Sequence, residues 1–428
     1  MLRFWWAVIS SRGLALEEMV SGGRLTPRSS PLRGSGRTAT LVVSDVHLAP
    51  TFDSDRLPFR SACFSPATYL SQTIDRAVEH AKKARGALEI VLAGDVFDFD
   101  VPQSAEEAAM GLRLVDTTTP AAAADMLHRT LLDHLPFTLA LQRAARAGAR
   151  VVVLPGNHDA QLGFVRVRDV LDRVITGARL APHSSPLRGS PVHGTFVATF
   201  APWYYAAAGG AVHVEHGHLY DPLCAVARLC LENATNTERT IGTVSSFYAP
   251  LLLPGMDPFV TDPFAERRSF REAMFAQGLP STRSLLACMK ELIVATTQGS
   301  ASDDACVLAY ELGIEPSEVD YRRGFFAPKA TASETLDICR GSIDYGGSVE
   351  ERTRRAMTAA TTLHGARVAV VGHTHRAGAT SLANGSVLLN SGAWTPRRTS
   401  AEVVGSYAWI TTDEGRVDDA SVKHVYRG

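Results

Sequence analysis

Five short runs of β-branched and aliphatic residues, each followed by a cluster of Asp, Asn or His, constrain this chain most. The runs are Thr40 to Val43, Leu88 to Ala93, Val151 to Leu154, Ala211 to Glu215 and Val368 to Val371. The clusters are Asp45-Val46-His47, Gly94-Asp95-Val96-Phe97-Asp98, Gly156-Asn157-His158-Asp159, His216-Gly217-His218 and Gly372-His373-Thr374-His375. Short runs of this kind, spaced by helical stretches, read as buried strands of a layered α/β fold. In such sheets, ligands gather outside the carboxyl ends of the strands. Five polar clusters at that end of five strands therefore point into one crevice.

The chain has 428 residues, long for one domain and short for three. Its hydrophobic content of 45% is ample for a sizeable core. A formal net charge of -1 provides no global field that draws the protein to nucleic acid or an anionic membrane. The six cysteines are scattered without a C-x-x-C pair. They read as small buried apolar residues in a reducing compartment, which argues for a cytoplasmic location. No run approaches the roughly twenty apolar residues needed to span a bilayer. The segment Phe4-Trp5-Trp6-Ala7-Val8-Ile9 is too short, and lacks the cleavage site, for a good signal peptide. Residues 1–38 are instead expected to be a disordered extension, or the start to lie at Met19.

Residues 39–220 and 366–428 are expected to form the core. A helix is expected from Pro66 to Ala84, since Leu70, Ile74, Ala77, Val78 and Ala81 share one face. Ala105 to Gly148 reads as two helices, with Pro136 opening or bending the second. Gln161 to Ile175 reads as another. Thr195 to Ala201 and Ala211 to His216 look like paired strands turning at Gly209-Gly210. Further strands are expected at Arg367 to Gly372, Ser386 to Asn390 and Val403 to Thr411, followed by a charged strand-like end. Residues 221–365 carry mostly helical periodicity, with Ser302, Ser317 and Ser348 as candidate N-caps. Lying between two site-forming strands, this block is expected to be an inserted cap beside the crevice; the alternative is a helical layer that only packs the sheet. Within it, Tyr248 to Val260 is apolar and Pro-interrupted, suited to packing between cap and core or, alternatively, to peripheral contact with lipid.

The clusters supply enough donor atoms for two divalent ions side by side. Asp45 and His47, two apart at a strand end, would point the same way and reach one ion. Asp95 follows a glycine that admits close backbone approach, and its two oxygens can bridge both ions. Asn157 offers a neutral oxygen, His216 and His373 serve the second ion, and His375 returns to the first. Mixed imidazole and carboxylate ligation suits Mn, Fe, Zn, Co or Ni rather than calcium, with manganese favoured. The ions bring four positive charges and Asp45 with Asp95 returns two negative ones, so the site keeps a net charge of roughly plus two. A phosphate ester is the natural anionic guest. Such a pair of ions also lowers the pKa of a bridging water and makes hydroxide available for attack on phosphorus. His158 is placed as a donor to a phosphoryl or leaving-group oxygen, oriented by Asp159. Asp98 would lie behind the ligands. His218 fits a ligand, a supporting group or a substrate contact, and Arg376 a phosphate contact or a solvated cation. Any one cluster alone is more often structural; five in order after strands are not.

Together the clusters D-x-H, G-D-x-x-D, G-N-H-D, a strand-end His and G-H-T-H resemble the calcineurin-like metallophosphoesterase superfamily over about Ala39 to Tyr220 and Gly365 to Thr412. The resemblance implies a double β-sheet sandwich flanked by helices, with the large α-helical insertion added here. It implies Asp45, His47, Asp95 and His375 around one metal, and Asp95, Asn157, His216 and His373 around the other. His158 would be the catalytic histidine, and Asn390-Ser391-Gly392 resembles a late strand that closes the site. The implied activity is metal-dependent hydrolysis of a phosphoester or pyrophosphate bond.

The strings Asp-x-His-Leu, Gly-Asp-x-Phe-Asp and Gly-His-Thr-His-Arg are similar to those of UDP-2,3-diacylglucosamine hydrolases, which split a lipid-linked pyrophosphate. The insertion here is longer, and His158 stands where that subfamily commonly differs. A nuclease is the other candidate, since double-strand-break repair nucleases share Gly-Asn-His-Asp; the near-neutral charge argues against a nucleic-acid partner. A phosphorylated small molecule or lipid-linked substrate is therefore the expected partner. The rival from another class is a non-catalytic scaffold, which would usually have lost ligands that are all present here. Subunit number has no signal in the sequence.

Overall fold

The computed structural model describes residues 36–51, 66–99, 120–176, 198–201, 203–221, 224, 347–394 and 403–427. Residues 1–35 of the expected N-terminal extension, the apolar segment Tyr248 to Val260 and all but the ends of the expected cap lie outside these residues, as does the stretch 105–119.

Alternation along the strands sets the layers. Strand β1 (Arg37–Val43) pairs in parallel with β2 (Ala87–Ala93), which pairs in parallel with β3 (Arg150–Leu154). Leu41, Val43, Ile90, Leu92, Val151 and Val153 point to one side, into a core shared with four helices. These helices are α1 (Ala67–Ala84), α2 (Pro120–Asp133), α3 (Leu135–Arg146) and α4 (Val165–Thr176). Val42, Val91, Ala93, Val152 and Leu154 point to the other side, against a second sheet. Strands buried on both faces read as continuous apolar runs, which is why these segments are so visible in the sequence. Burying each such Val or Leu is worth about 1.5–3 kcal/mol.

The first sheet has six strands in the order β11-β10-β1-β2-β3-β4, where β4 is Ala198–Phe200, β10 is Val403–Asp413 and β11 is Arg416–Tyr426. The second has five, in the order β5-β6-β7-β9-β8. They are β5 (Tyr204–Ala207), β6 (Val212–Glu215), β7 (Val368–Val371), β8 (Gly378–Ser381) and β9 (Val387–Asn390). Helix α5 (Val349–His364) covers the outer face of this second sheet through Ala356, Met357 and Ala360, which pack with Tyr220, Ala369 and Val371. The result is the expected mixed fold, two facing sheets flanked by helices.

Local chemistry explains the helix ends. Ser348 Oγ accepts from Glu351 N at 3.2 Å, capping α5 as its sequence suggests, and Gly365 closes it at φ 67°. Pro136 sits in the first turn of α3, where its missing N–H costs nothing. One pairing differs from expectation. The run ending at Ala201 does not pair with β6; β4 pairs in parallel with β3, Val151 opposite Ala198. The antiparallel partner of β6 is β5, joined to it by the turn Ala208–Gly210. The glycine pair was read correctly as the turn, but the short Tyr-Tyr-Ala-Ala segment before it carries too weak a pattern to compete with the longer run upstream.

Register positions the site. Val43 lies opposite Leu92, and Ala93 opposite Leu154. Asp45, Asp95 and Asn157, two or three residues beyond these pairs, therefore emerge side by side from adjacent strand ends.

Candidate metal centre

The loops after β1 and β2 run together. Asp45 N donates to Gly94 O at 3.1 Å, Val46 N and His47 N to Asp95 O at 2.9 and 3.0 Å, and Leu48 N to Val96 O at 2.9 Å. Asp45 and His47 are not extended, as their spacing suggested. Both lie in the left-handed region, φ 53° and 55°, because the strand has already ended at Val43 and the chain turns sharply. Asp95, His373 and His375 share this conformation, at φ 51°, 66° and 57°. Left-handed backbone at a non-glycine residue costs on the order of 1–3 kcal/mol and persists where surroundings impose it. Here it aims five side chains into one place.

Two groups of donors result. The ligand atoms of Asp45, His47 and His375 lie within 4.8 Å of one another, as do those of Asp95, His216 and His373. In the first group, His375 Nε2 is 3.1 Å from Asp45 Oδ1 and 3.3 Å from His47 Nε2. In the second, His216 Nε2 is 3.2 Å from Asp95 Oδ2. The groups adjoin: His373 N donates to both Asp45 oxygens at 3.1 and 3.0 Å, and the His216 and His373 rings are 5.4 Å apart.

The tautomers suit cation binding. His216 Nδ1–H donates to Ala93 O at 2.9 Å, which turns the Nε2 lone pair toward Asp95. His47 Nδ1 is 3.3 Å from Asp98 Oδ2, which turns its Nε2 toward His375. Lone pairs facing carboxylates or each other need a proton or a cation between them, so this donor set fits divalent metal ions. Without metal, the proton takes that place. Burial alone would lower His216, but Asp95 and Asp45 override it and push the imidazole up to about 9. Burial works against Asp45 and Asp95 too, yet the surrounding imidazoles, His375 and His216 foremost, bring both below the usual carboxylate range.

Asp98 lies behind His47, as expected, whereas Asp159 has different partners from the one its spacing suggested. Asp159, fully buried, accepts four backbone N–H groups: Asp95 at 3.0 Å and Gly156 at 2.6 Å on Oδ1, Val96 at 2.9 Å and Phe97 at 3.2 Å on Oδ2. It ties the third loop to the second. Burial and the Asp95 charge push it up to about 7 against these donors. Asp98 faces His158 Nδ1 through Oδ1 at 3.3 Å and His47 through Oδ2. Burial raises its carboxyl, but His158 and His47 hold it well below the ordinary range.

The other expected residues divide clearly. Asn157 is buried in the loop after β3, and the half-buried His158 ring lies 4.9 Å from the His47 ring. His158 N donates to Asp95 Oδ1 at 2.7 Å. His218 is buried 5.3 Å from the His216 ring, and burial plus His216 and His373 hold it well below its usual value, as a neutral imidazole. Arg376 stays at the surface, where its guanidinium meets Glu350 of α5 at 2.9 Å.

Close packing at the centre requires glycine. A Cβ on Gly94, already at φ +83°, would lie 2.5 Å from His216 Cγ. One on Gly156 would lie 2.7 Å from Asp95 N and 2.8 Å from His216 Nε2, and one on Gly372 would collide with Ser44 and the Asp45 carboxylate. Three residues had no signal as site groups in the sequence. Ser44 Oγ bonds Asp45 Oδ2 and meets Ser391 Oγ at 2.7 Å, linking the first ligand to the late strand end. Asp221 Oδ2 is 3.1 Å from His373 Nε2, and Cys224 lies within donor range of that pair.

The fold is a two-sheet α/β sandwich, and its paired donor clusters could hold metal ions. A family model described as calcineurin-like phosphoesterase matches residues 38–252, half of the chain, and the protein belongs to that family. Among solved structures, it is similar to a conserved uncharacterized protein from Streptococcus pneumoniae TIGR4, described as a predicted phosphoesterase. That likeness has 12% identity and a TM-score of 0.24, and covers 92% of this chain and 100% of the other. No curated protein matches the sequence.

Proposed function

We propose that this protein is a two-metal phosphohydrolase that cleaves a phosphoester or pyrophosphate bond. The observation that carries the reading is the meeting of two Asp/His groups at adjoining strand ends, each with an imidazole whose tautomer is fixed from behind. Asp45, His47, Asp95 and His375 would hold one ion, and Asp95, Asn157, His216 and His373 the other. Bound divalent ions, manganese favoured, supply Lewis-acid charge for the phosphoryl oxygens and acidify a water molecule. His158 acts as the proton donor to the leaving group. Its Nδ1 is tied to Asp98, so proton exchange with substrate falls to Nε2. Asp98 therefore takes the orienting role and Asp159 the structural one.

The substrate class is a phosphorylated small molecule or a lipid-linked pyrophosphate, met in the cytoplasm or at a membrane periphery; a nuclease is the second reading. No helix among the described residues is long and apolar enough to cross a membrane. The test sets chromogenic phosphomonoester and phosphodiester, a lipid-linked pyrophosphate and single-stranded DNA side by side, with added manganese. Hydrolysis of one class, lost in Asp95→Asn together with bound metal, is the expected result. Metal-loaded protein that cleaves none of them, and an Asp95→Asn variant with unchanged metal content, would overturn the reading.

A further inference from the structure

His373 is the donor whose orientation the site loops do not themselves explain. His216 is fixed by Ala93 O and His47 by Asp98, both from the first-sheet side. The carboxylate that meets His373 comes from a different place: Asp221 Oδ2, at 3.1 Å from Nε2. Its backbone is held firmly. The preceding residue, Tyr220, is fully buried; its hydroxyl donates to Glu215 Oε2 at 2.7 Å, and its carbonyl accepts from Arg352 Nε of α5 at 2.8 Å. Asp221 N then donates to His218 O at 3.0 Å, closing the short turn that follows the His216 cluster. Glu215, Tyr220 and Arg352 thus anchor a carboxylate that meets the imidazole of His373.

We infer that Asp221 is a positioning residue for His373: it accepts the Nε2 proton, fixes the ring tautomer and leaves Nδ1 as the lone-pair nitrogen on the side of Asp95 and His216. The inference rests on the two-metal reading above. Carboxylates that hold a ligating imidazole in this way raise its basicity and its affinity for the ion. Asp221 would serve the ion held by Asp95, His216 and His373 and leave the one at Asp45, His47 and His375 untouched. The chain would then hold a ligand imidazole from behind in three places, by Ala93 O, Asp98 and Asp221.

The test uses the full chain stripped with chelator, titrated with manganese by calorimetry and counted for bound metal after gel filtration. Asp221→Ala is expected to weaken one of two binding events by roughly 10–100-fold, with the other unchanged. Asp221→Glu, which keeps the carboxylate, is expected to recover part of the loss, and Asp221→Asn, which keeps an acceptor without the charge, to fall between. A purely structural role would weaken both events together or show no order among the variants. Should Asp221→Ala fail to fold, the Asn and Glu variants carry the comparison. Two unchanged affinities in folded Asp221→Ala, or equal weakening of both events, overturn the inference alone. A wild-type chain that binds no divalent ion overturns the two-metal reading itself.

Discussion

The Nε2 atoms of His47 and His375 face each other at 3.3 Å, and Asp45 Oδ1 lies 3.1 Å from the latter. With His47 Nδ1 turned to Asp98, these three groups converge on one point that the Nε2 hydrogen of His375 or a bound cation can fill. His375→Ala should therefore lose one of two manganese ions, with affinity falling by about tenfold or more, since even partners behind a ligand are worth that much. Metal counting after equilibrium dialysis checks it. Retention of two ions per chain would show that the site is held elsewhere.

Asp159 and Asp98, two buried carboxylates behind the same centre, should separate by phenotype. Asp159 binds four backbone N–H groups that would otherwise be buried unsatisfied. Asp159→Ala should lower unfolding stability by about 3 kcal/mol or more, because each orphaned buried group costs about 1–3 kcal/mol. Asp98→Asn keeps its shape and sits against the side chains of His158 and His47. It should fold normally and shift the acidic or basic limb of the pH–rate profile. Denaturant melts and rate profiles of the two variants decide between these outcomes.

What the sequence revealed and what it hid have physical causes. The five strands before the clusters were legible because burial on both faces demands apolar runs such as Val151 to Leu154. The grouping of Asp45, Asp95, His216 and His373 followed from the rule about strand ends. The left-handed turns at Asp45 and His47 were hidden, since Asp and His tolerate that conformation without a glycine to announce it. The partners of Asp159 and Asp221 were hidden too, because both contacts cross between loops distant in sequence. Strand β8, Gly378–Ser381, escaped notice because it is exposed along its length and carries no apolar pattern.

Glycine at position 94 should be indispensable in a way that most of the described glycines are not. Alanine there meets both the φ of +83° and the ring of His216 at 2.5 Å. Gly94→Ala should cost about 1–3 kcal/mol in overpacking alone and weaken ion binding by displacing His216. Gly378→Ala, where a Cβ has nothing within 4 Å, is the control and should change neither property. Equal melting temperatures for both variants would refute the packing argument.

Metal and protons compete at His216, so the pH dependence of stability seen without metal should be offset when metal is bound. In the metal-free chain, Asp95 and Asp45 raise the imidazole from its ordinary value to about 9. A raised folded pKa contributes stability that is complete below the unfolded value, about 6.5, and is lost as pH rises toward 9. Asp159, raised to about 7, acts in the same direction at the lower edge of this window. The carboxyls of Asp45, Asp95 and Asp98 are shifted downward and stay ionised throughout, and His218, shifted downward as well, stays neutral. Ion binding requires the neutral imidazole and releases its proton, so affinity increases over the same interval. Melting temperature should therefore fall from pH 6.5 to 9 in chelator, while the gain from added manganese widens. Parallel curves with and without the ion would mean that His216 does not exchange a proton for metal.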